Sequence, residues 1–176
     1  MYKFAHLADL HVGANRHPIL QKIELQVFNE SIDKCLKENV DFILICGDLF
    51  HIGIPDMGAV KNCVQKLKKV SGRGIPVYVI YGRHDYNPNT DSMVDVLNSA
   101  GLITNIVLSE EKGGKIRLSF FIDPKTGAKI TGINAKKGGI ERIYYERLDR
   151  ARLEKEDGFK IFCLHIVLTE LTPPHM

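Results

Sequence analysis

Two uninterrupted apolar runs, VDFILIC over residues 40–46 and IPVYVIY over residues 75–81, constrain this chain's fold more than any other feature. A segment apolar at nearly every position has no solvent face, so each reads as a strand covered on both sides of a sheet. A shorter strand is expected over residues 2–8. Between the strands the period changes to that of a helix. Residues 19–39 carry Leu20, Ile23, Val27, Phe28, Ile32, Cys35 and Leu36 on one stripe, and residues 57–70 carry Met57, Val60, Val64 and Leu67. A third helix over residues 91–100, capped by Thr90 or Asp91 and closed by Gly101, completes a βαβαβα order. That order predicts a parallel sheet with right-handed crossovers.

From residue 103 the pattern shifts. ITNIVL, IRLSFFID and AKITGIN are strand-like and are separated by the turn signals EEKGGK and PKTG, which predicts an antiparallel meander. A helix over residues 140–156 and a last apolar strand over residues 159–165 follow. The fold class is therefore α/β with a mixed sheet system.

Composition excludes several classes. The 176 residues are 44% hydrophobic, which argues against disorder, and no apolar run is long enough to span a bilayer. Twenty-four basic against 21 acidic residues give +3, which permits a nucleic-acid partner without demanding one. The four cysteines form no C-x-x-C pair and read as small hydrophobes in a reducing compartment. The start MYKFAHLADLH leaves no room for a secretory apolar segment, so a cytoplasmic location and no membrane contact are expected.

The chemistry-bearing residues share one topological address. Asp9 and His11 follow the first strand, Gly47, Asp48 and His51 the second, and Gly82, His84 and Asp85 the third; His165 closes the last. In open α/β sheets ligands bind beyond the carboxyl ends of parallel strands, so these groups should converge. Carboxylates with imidazoles suit a divalent ion of the Mn²⁺, Fe²⁺ or Zn²⁺ class. Asp48, at the centre, could bridge two ions about 3.5–4 Å apart, the spacing used for in-line attack at phosphorus. Gly47 and Gly82 are expected to let the backbone turn sharply at strand ends. His6, His17 and His175 have no such pattern and read as structural or surface residues.

HLADLHVG, ICGDLFH, GRHD and LHIVLTE, in this order, resemble the successive signatures of the calcineurin-like metallophosphoesterases. The surrounding wording is similar to one branch, the nuclease subunit of the double-strand-break repair complex (the meiotic recombination eleven family, with SbcD as its bacterial relative), and to archaeal members in particular. The resemblance implies a two-sheet sandwich flanked by helices (αββα). It implies two Mn²⁺ ions per complete site, with Asp9 and His11 on the first metal, Asp48 bridging, and His165 on the second. His84 would contact the scissile phosphate and the leaving oxygen, and His51 would help position the strand for exonuclease cleavage. The implied activities are 3′-to-5′ exonuclease on duplex ends and single-strand endonuclease. The implied partners are DNA, a second copy of the chain, and a coiled-coil ATPase of the Rad-fifty or SbcC type.

Two departures qualify that set. Arg83 stands where the family motif carries an Asn ligand, and a guanidinium has no acceptor lone pair for a cation. A weakened second metal site is therefore expected, with Arg83 free to grip phosphate. The later Gly-x-His-x-His segment of the family does not occur up to Met176. An incomplete sandwich is thus expected over residues 1–176, the amino-terminal part of a nuclease domain, without capping domain or partner-binding tail. Alternatives are a phosphoesterase for small phosphoesters and a catalytically degenerate DNA-binding scaffold. Lys61, Lys66, Lys68, Lys69 and Arg73 offer a weak candidate patch for backbone phosphates. Lys136, Lys137, Arg142, Arg147, Arg150 and Arg152 read instead as a solvated face.

Overall fold

A computed structural model describes residues 1–87, 90–136 and 140–168. The first half follows the expected alternation: β1 (Phe4–Leu7), α1 (Pro18–Lys37), β2 (Phe42–Cys46), α2 (Met57–Ser71), β3 (Val77–Ile80), α3 (Met93–Ser99) and β4 (Thr104–Asn105). These four strands form one parallel sheet in the order β1-β2-β3-β4. Pro18 opens α1 with a φ already suited to a helix, and Asn39, at φ +48°, turns the chain out after it. Asp56 caps α2 by accepting from the Gly58 and Ala59 N–H groups. The cap of α3 is Ser92 rather than Thr90 or Asp91. Its hydroxyl accepts from Asp95 N–H while the Asp95 carboxylate accepts from Ser92 N–H, a reciprocal box that starts the helix at Met93.

Alternation along the central strand divides the core in two. Ile43 and Ile45 of β2, with Val77 and Val79 of β3, face the helices and pack with Phe28, Ile32, Cys63 and Leu67. Phe42, Leu44 and Cys46, with Tyr78 and Ile80, face the other way and meet Ile130 and Cys163 of a second sheet. That sheet consists of β7 (Phe121–Ile122), β8 (Lys129–Gly132) and β9 (Lys160–Cys163). The expected two-sheet sandwich with flanking helices is therefore present, and all four cysteines are buried, free thiols.

The expected antiparallel meander is found as two separate antiparallel pairs, not as one continuous sheet. ITNIVL supplies β4 to the edge of the parallel sheet and then begins β5 (Leu108–Lys112). IRLSFFID divides between β6 (Lys115–Ser119), hairpin partner of β5, and β7 in the second sheet. Strand β9 runs parallel to β8. The single helix expected over residues 140–156 is two short ones, α4 (Glu141–Glu146) and α5 (Arg150–Lys155). The break follows from pairing: Ile116 N–H donates to Arg147 O and Asp149 N–H donates to Ile116 O, so the chain at Leu148 joins the hairpin edge. Basic residues there are neutralised locally by the pairs Arg142–Glu146 and Arg147–Glu111, in keeping with a solvated face; Lys137 lies outside the described residues.

The apolar stripe of α1 is only half used. Phe28, Ile32 and Cys35 are buried, but Ile19, Leu20, Ile23 and Val27 are each about half exposed or more. On α2, Lys66 pairs with Asp33 of α1 at 2.6 Å. The lysine-rich turns lie at the helix's carboxyl end, roughly 13 Å or more from its start at the strand-end loops.

Candidate metal centre

The register of the parallel strands sets the positions of the site residues. Leu7 pairs with Ile45, and Cys46 with Ile80. Two residues further on, the strands give way to loops that stay hydrogen-bonded: Asp9 N–H donates to Gly47 O and His11 N–H to Asp48 O, at 3.1 and 2.9 Å. On the second sheet Gly132 pairs with Cys163, and His165 follows two residues later. Strands β1 and β2 thus deliver Asp9 and Asp48 side by side, and His165 reaches both from the end of β9. Glu24 of α1 holds the first loop by accepting from the Gly13 and Asn15 N–H groups.

These loops are conformationally demanding. Among the described residues, Asp9 (φ +51°), His11 (+44°) and Asp48 (+54°) are three of the four non-glycine residues in the left-handed region. Such backbone costs free energy and persists where surrounding structure over-determines it, as at functional sites. The glycines act partly by close approach. A Cβ on Gly47 would lie 2.4 Å from His165 Nδ1, and Gly47 also has φ +91°. The chain turns directly after Gly82, over residues 83–85, but Gly82 does so without a positive φ. A Cβ there would lie 2.0 Å from Asp48 Oδ1, so its bare backbone is what lets the third loop close over the second.

Four side-chain atoms converge at the floor of a cleft of about 480 Å³. Asp48 Oδ2 is 3.2 Å from His165 Nε2 and 3.6 Å from His11 Nε2; Asp9 Oδ1 is 3.6 Å from His11 Nε2 and 3.9 Å from His165 Nε2. A divalent ion with bonds near 2.1 Å sets its neighbouring ligand atoms about 3 Å apart, so this set fits one ion with small adjustment. Asp48 is buried, and its other oxygen accepts from His84 N–H at 2.9 Å. His165 Nδ1 donates to Cys46 O at 2.9 Å, which leaves Nε2 to face the carboxylates. The hydrogen bond to Asp48 raises the His165 pKa to about 9. Burial alone would push the Asp48 carboxyl up, but the bonds from His165 and His84 N–H outweigh it and hold it below the usual carboxylate range.

His11 and His84 line the neighbouring wall, and a third imidazole, His51, packs against both. His84 is exposed, and its Nδ1 donates to His51 O at 2.7 Å. His51 stands behind His84 with rings stacked at 4.8 Å, and its Nδ1 is 3.3 Å from His11 Nδ1. Arg83 also lines the cleft, exposed, and among the described residues no carboxylate lies within ion-pair distance of it. His6, expected to be a structural or surface residue, is exposed on the cleft wall. His17 only precedes α1, and His175 lies outside the described residues.

Sequence reasoning named Asp85 but gave it no role. It is buried, and its oxygens accept from Phe50 N–H at 3.1 Å and Gly82 N–H at 2.9 Å. It fastens the loop of Asp48 and His51 to that of Arg83 and His84. The signal was a carboxylate in a turn next to glycine, which on sequence alone is ordinary turn chemistry.

The donor set and its place at the strand ends agree with a family profile that matches residues 2–174, described as calcineurin-like phosphoesterase. The chain belongs to that family. Calcineurin-like phosphoesterases bind divalent metals, and the residues above form a candidate centre for one. The chain is similar to the DNA double-strand break repair protein Mre11 of Sulfurisphaera tokodaii, 35% identical over 96% of this chain and 41% of the relative. The protein of the same name from Archaeoglobus fulgidus is 34% identical over 57% of this chain and 23% of its own length. The uncharacterized metallophosphoesterase YhaO of Bacillus subtilis is 28% identical over 94% and 41%. The chain therefore spans less than half the length of these curated relatives. A solved structure, the Pseudomonas putida nuclease MPE, aligns over 72% of this chain and 58% of that chain, with 17% identity and TM-score 0.43. No helix of the described residues is long and apolar enough to cross a membrane.

Proposed function

We propose that this calcineurin-like phosphoesterase is a metal-dependent DNA nuclease of double-strand-break repair, with 3′-to-5′ exonuclease action on duplex ends and endonuclease action on single strands. The observation that carries the reading is the convergence of Asp9, His11, Asp48 and His165 beside His84 and Arg83 in one cleft. The similarity to archaeal Mre11 proteins supports DNA as the substrate.

In this reading Asp9, His11, Asp48 and His165 hold Mn²⁺, which supplies Lewis-acid activation of water and of a phosphoryl oxygen. The strained backbone at Asp9, His11 and Asp48 keeps these donors preorganised. His84, anchored through Nδ1 on the His51 carbonyl, turns Nε2 to the leaving oxygen and carries the proton it needs. His51 fixes His84 and helps position the strand. Arg83 neutralises a non-bridging phosphate oxygen from its exposed position at the rim. The exposed stripe Ile19, Leu20, Ile23 and Val27 is proposed as the face for a second copy of the chain. A coiled-coil ATPase is proposed as the further partner.

The test compares cleavage of a duplex with free 3′ ends, a single-stranded circle and p-nitrophenyl phosphoesters in Mn²⁺. DNA cleavage lost in His84→Ala and Asp9→Asn supports the reading. Activity confined to the small phosphoesters would replace it with the small-substrate alternative. Metal binding with no cleavage of either substrate would replace it with the scaffold alternative, which the guanidinium of Arg83 favours.

A further inference from the structure

We infer that His11, His51 and His84 form a second cation site, chemically softer than the carboxylate centre and selective for an ion of the zinc class. One ring nitrogen from each lies within 4.8 Å of the others. The His11 and His51 Nδ1 atoms are 3.3 Å apart, the separation at which a tetrahedral ion with Zn–N bonds of 2.0–2.1 Å would hold two ligands. His84 is exposed and keeps Nε2 uncommitted, because Nδ1 is bound to the His51 carbonyl. His84 is stacked on His51, with rings 4.8 Å apart and 22° from parallel, so its ring must turn out of that stack to supply the third ligand, and its exposure leaves the fourth position to water or a phosphate oxygen.

The donor types separate the two sites. Asp9, Asp48 and His165 close a group of their own, two carboxylates with one imidazole, which serves a hard or borderline ion. The second group has three imidazoles and no carboxylate, which suits Zn²⁺ far better than Mg²⁺ or Mn²⁺. His11 joins them: its Nε2 faces Asp9 and Asp48, both at 3.6 Å, while Nδ1 faces His51. A carboxylate behind a ligating imidazole is the arrangement that orients the ring and raises its basicity toward zinc. As one neutral ring cannot ligate through both nitrogens, zinc at the imidazole site draws His11 away from the carboxylate centre. The two ions therefore oppose each other.

The test titrates the metal-free full chain with Zn²⁺, and with Co²⁺ as a coloured substitute, without any substrate. This separates it from the nuclease reading, which stands or falls on cleavage. The expected result is a four-coordinate Co²⁺ visible band that is lost in His51→Ala and in His84→Ala and kept in His165→Ala. Mn²⁺ affinity should stay within about threefold in His51→Ala, and should fall about tenfold or more in His165→Ala. A band that survives both His51→Ala and His84→Ala but disappears in His165→Ala would place the ion among the carboxylates and overturn the inference. If an alanine variant does not fold, protection of the wild-type chain from diethyl pyrocarbonate decides the matter. Zinc shielding His51 and His84 supports the site; shielding of His165 without them refutes it.

Discussion

His165 Nε2 lies 3.2 Å from Asp48 Oδ2 while its Nδ1 donates to the carbonyl of Cys46, so one ring joins the end of β9 to the end of β2. The contact spans the two sheets and ties the site to the sandwich interface. In the metal-free protein it is an ion pair, and it makes stability depend on pH. His165 is raised to about 9 by its bond to Asp48, so its contribution is complete below the ordinary value of 6.5 and is lost as pH rises through 9. Asp48 is lowered, so its contribution is present above the ordinary value of 3.8 and is lost as pH falls below it. Thermal unfolding in a chelator should show greatest stability between these limits and a decline from about pH 6.5 to 9. His165→Ala should flatten that decline; an unchanged slope would remove the ion pair as its cause.

Gly82→Ala should damage the centre without touching any of its donors. The new methyl would lie 2.0 Å from Asp48 Oδ1, in a place where Gly82 and Asp48 are both buried. Overpacking of this kind costs about 1–3 kcal/mol, and Asp48 must also leave its bond to His84 N–H. Urea unfolding should show the loss, and calorimetry should show Mn²⁺ affinity reduced about tenfold or more.

Asp85→Asn should act through position alone. The carboxylate accepts from two backbone N–H groups, on Phe50 and Gly82, and an amide can accept only with its one oxygen. One buried N–H then faces an NH₂ group, a cost of about 1–3 kcal/mol. The predicted signature is lower stability together with weaker Mn²⁺ binding. Asp85→Glu should restore neither, because the longer side chain does not fit between the loops. Unchanged Mn²⁺ affinity in a destabilised Asp85→Asn protein would reduce Asp85 to a structural residue.

Much of this was legible in the sequence, for definite reasons. Strands β2 and β3 were visible because their apolar runs need cover on both faces, and burial of every residue in both confirms that need. Asp9, His11, Asp48, His84 and His165 were visible because each follows a strand by only a few residues, and the parallel register of β1, β2 and β3 brings the first four together at one edge of the sheet. Hydrophobic pattern could not say which sheet ITNIVL would join, since an edge strand of either sheet has the same pattern. Nor could it reveal the break at Leu148, which comes from pairing with Ile116 rather than from a local breaker. The role of Asp85 and the close approach at Gly82 are properties of two loops brought together, with no signal in either alone.

Arg83 should leave the carboxylate centre with a single tightly held ion. Its guanidinium offers no lone pair, lines the same cleft as Asp48 and His165, and has no carboxylate partner among the described residues to cancel its charge. A second cation beside it would meet repulsion and find no neutral oxygen in its place. Equilibrium dialysis at saturating Mn²⁺ is expected to give about one ion per chain, and Arg83→Asn should raise the number by restoring an amide oxygen. The same charge should aid phosphate binding. Arg83→Ala is expected to raise the KM for DNA several-fold, and Arg83→Lys to recover part of that loss as a point charge without the bidentate fork. Two ions held with similar affinity by the wild-type chain would show that the guanidinium swings clear of the centre.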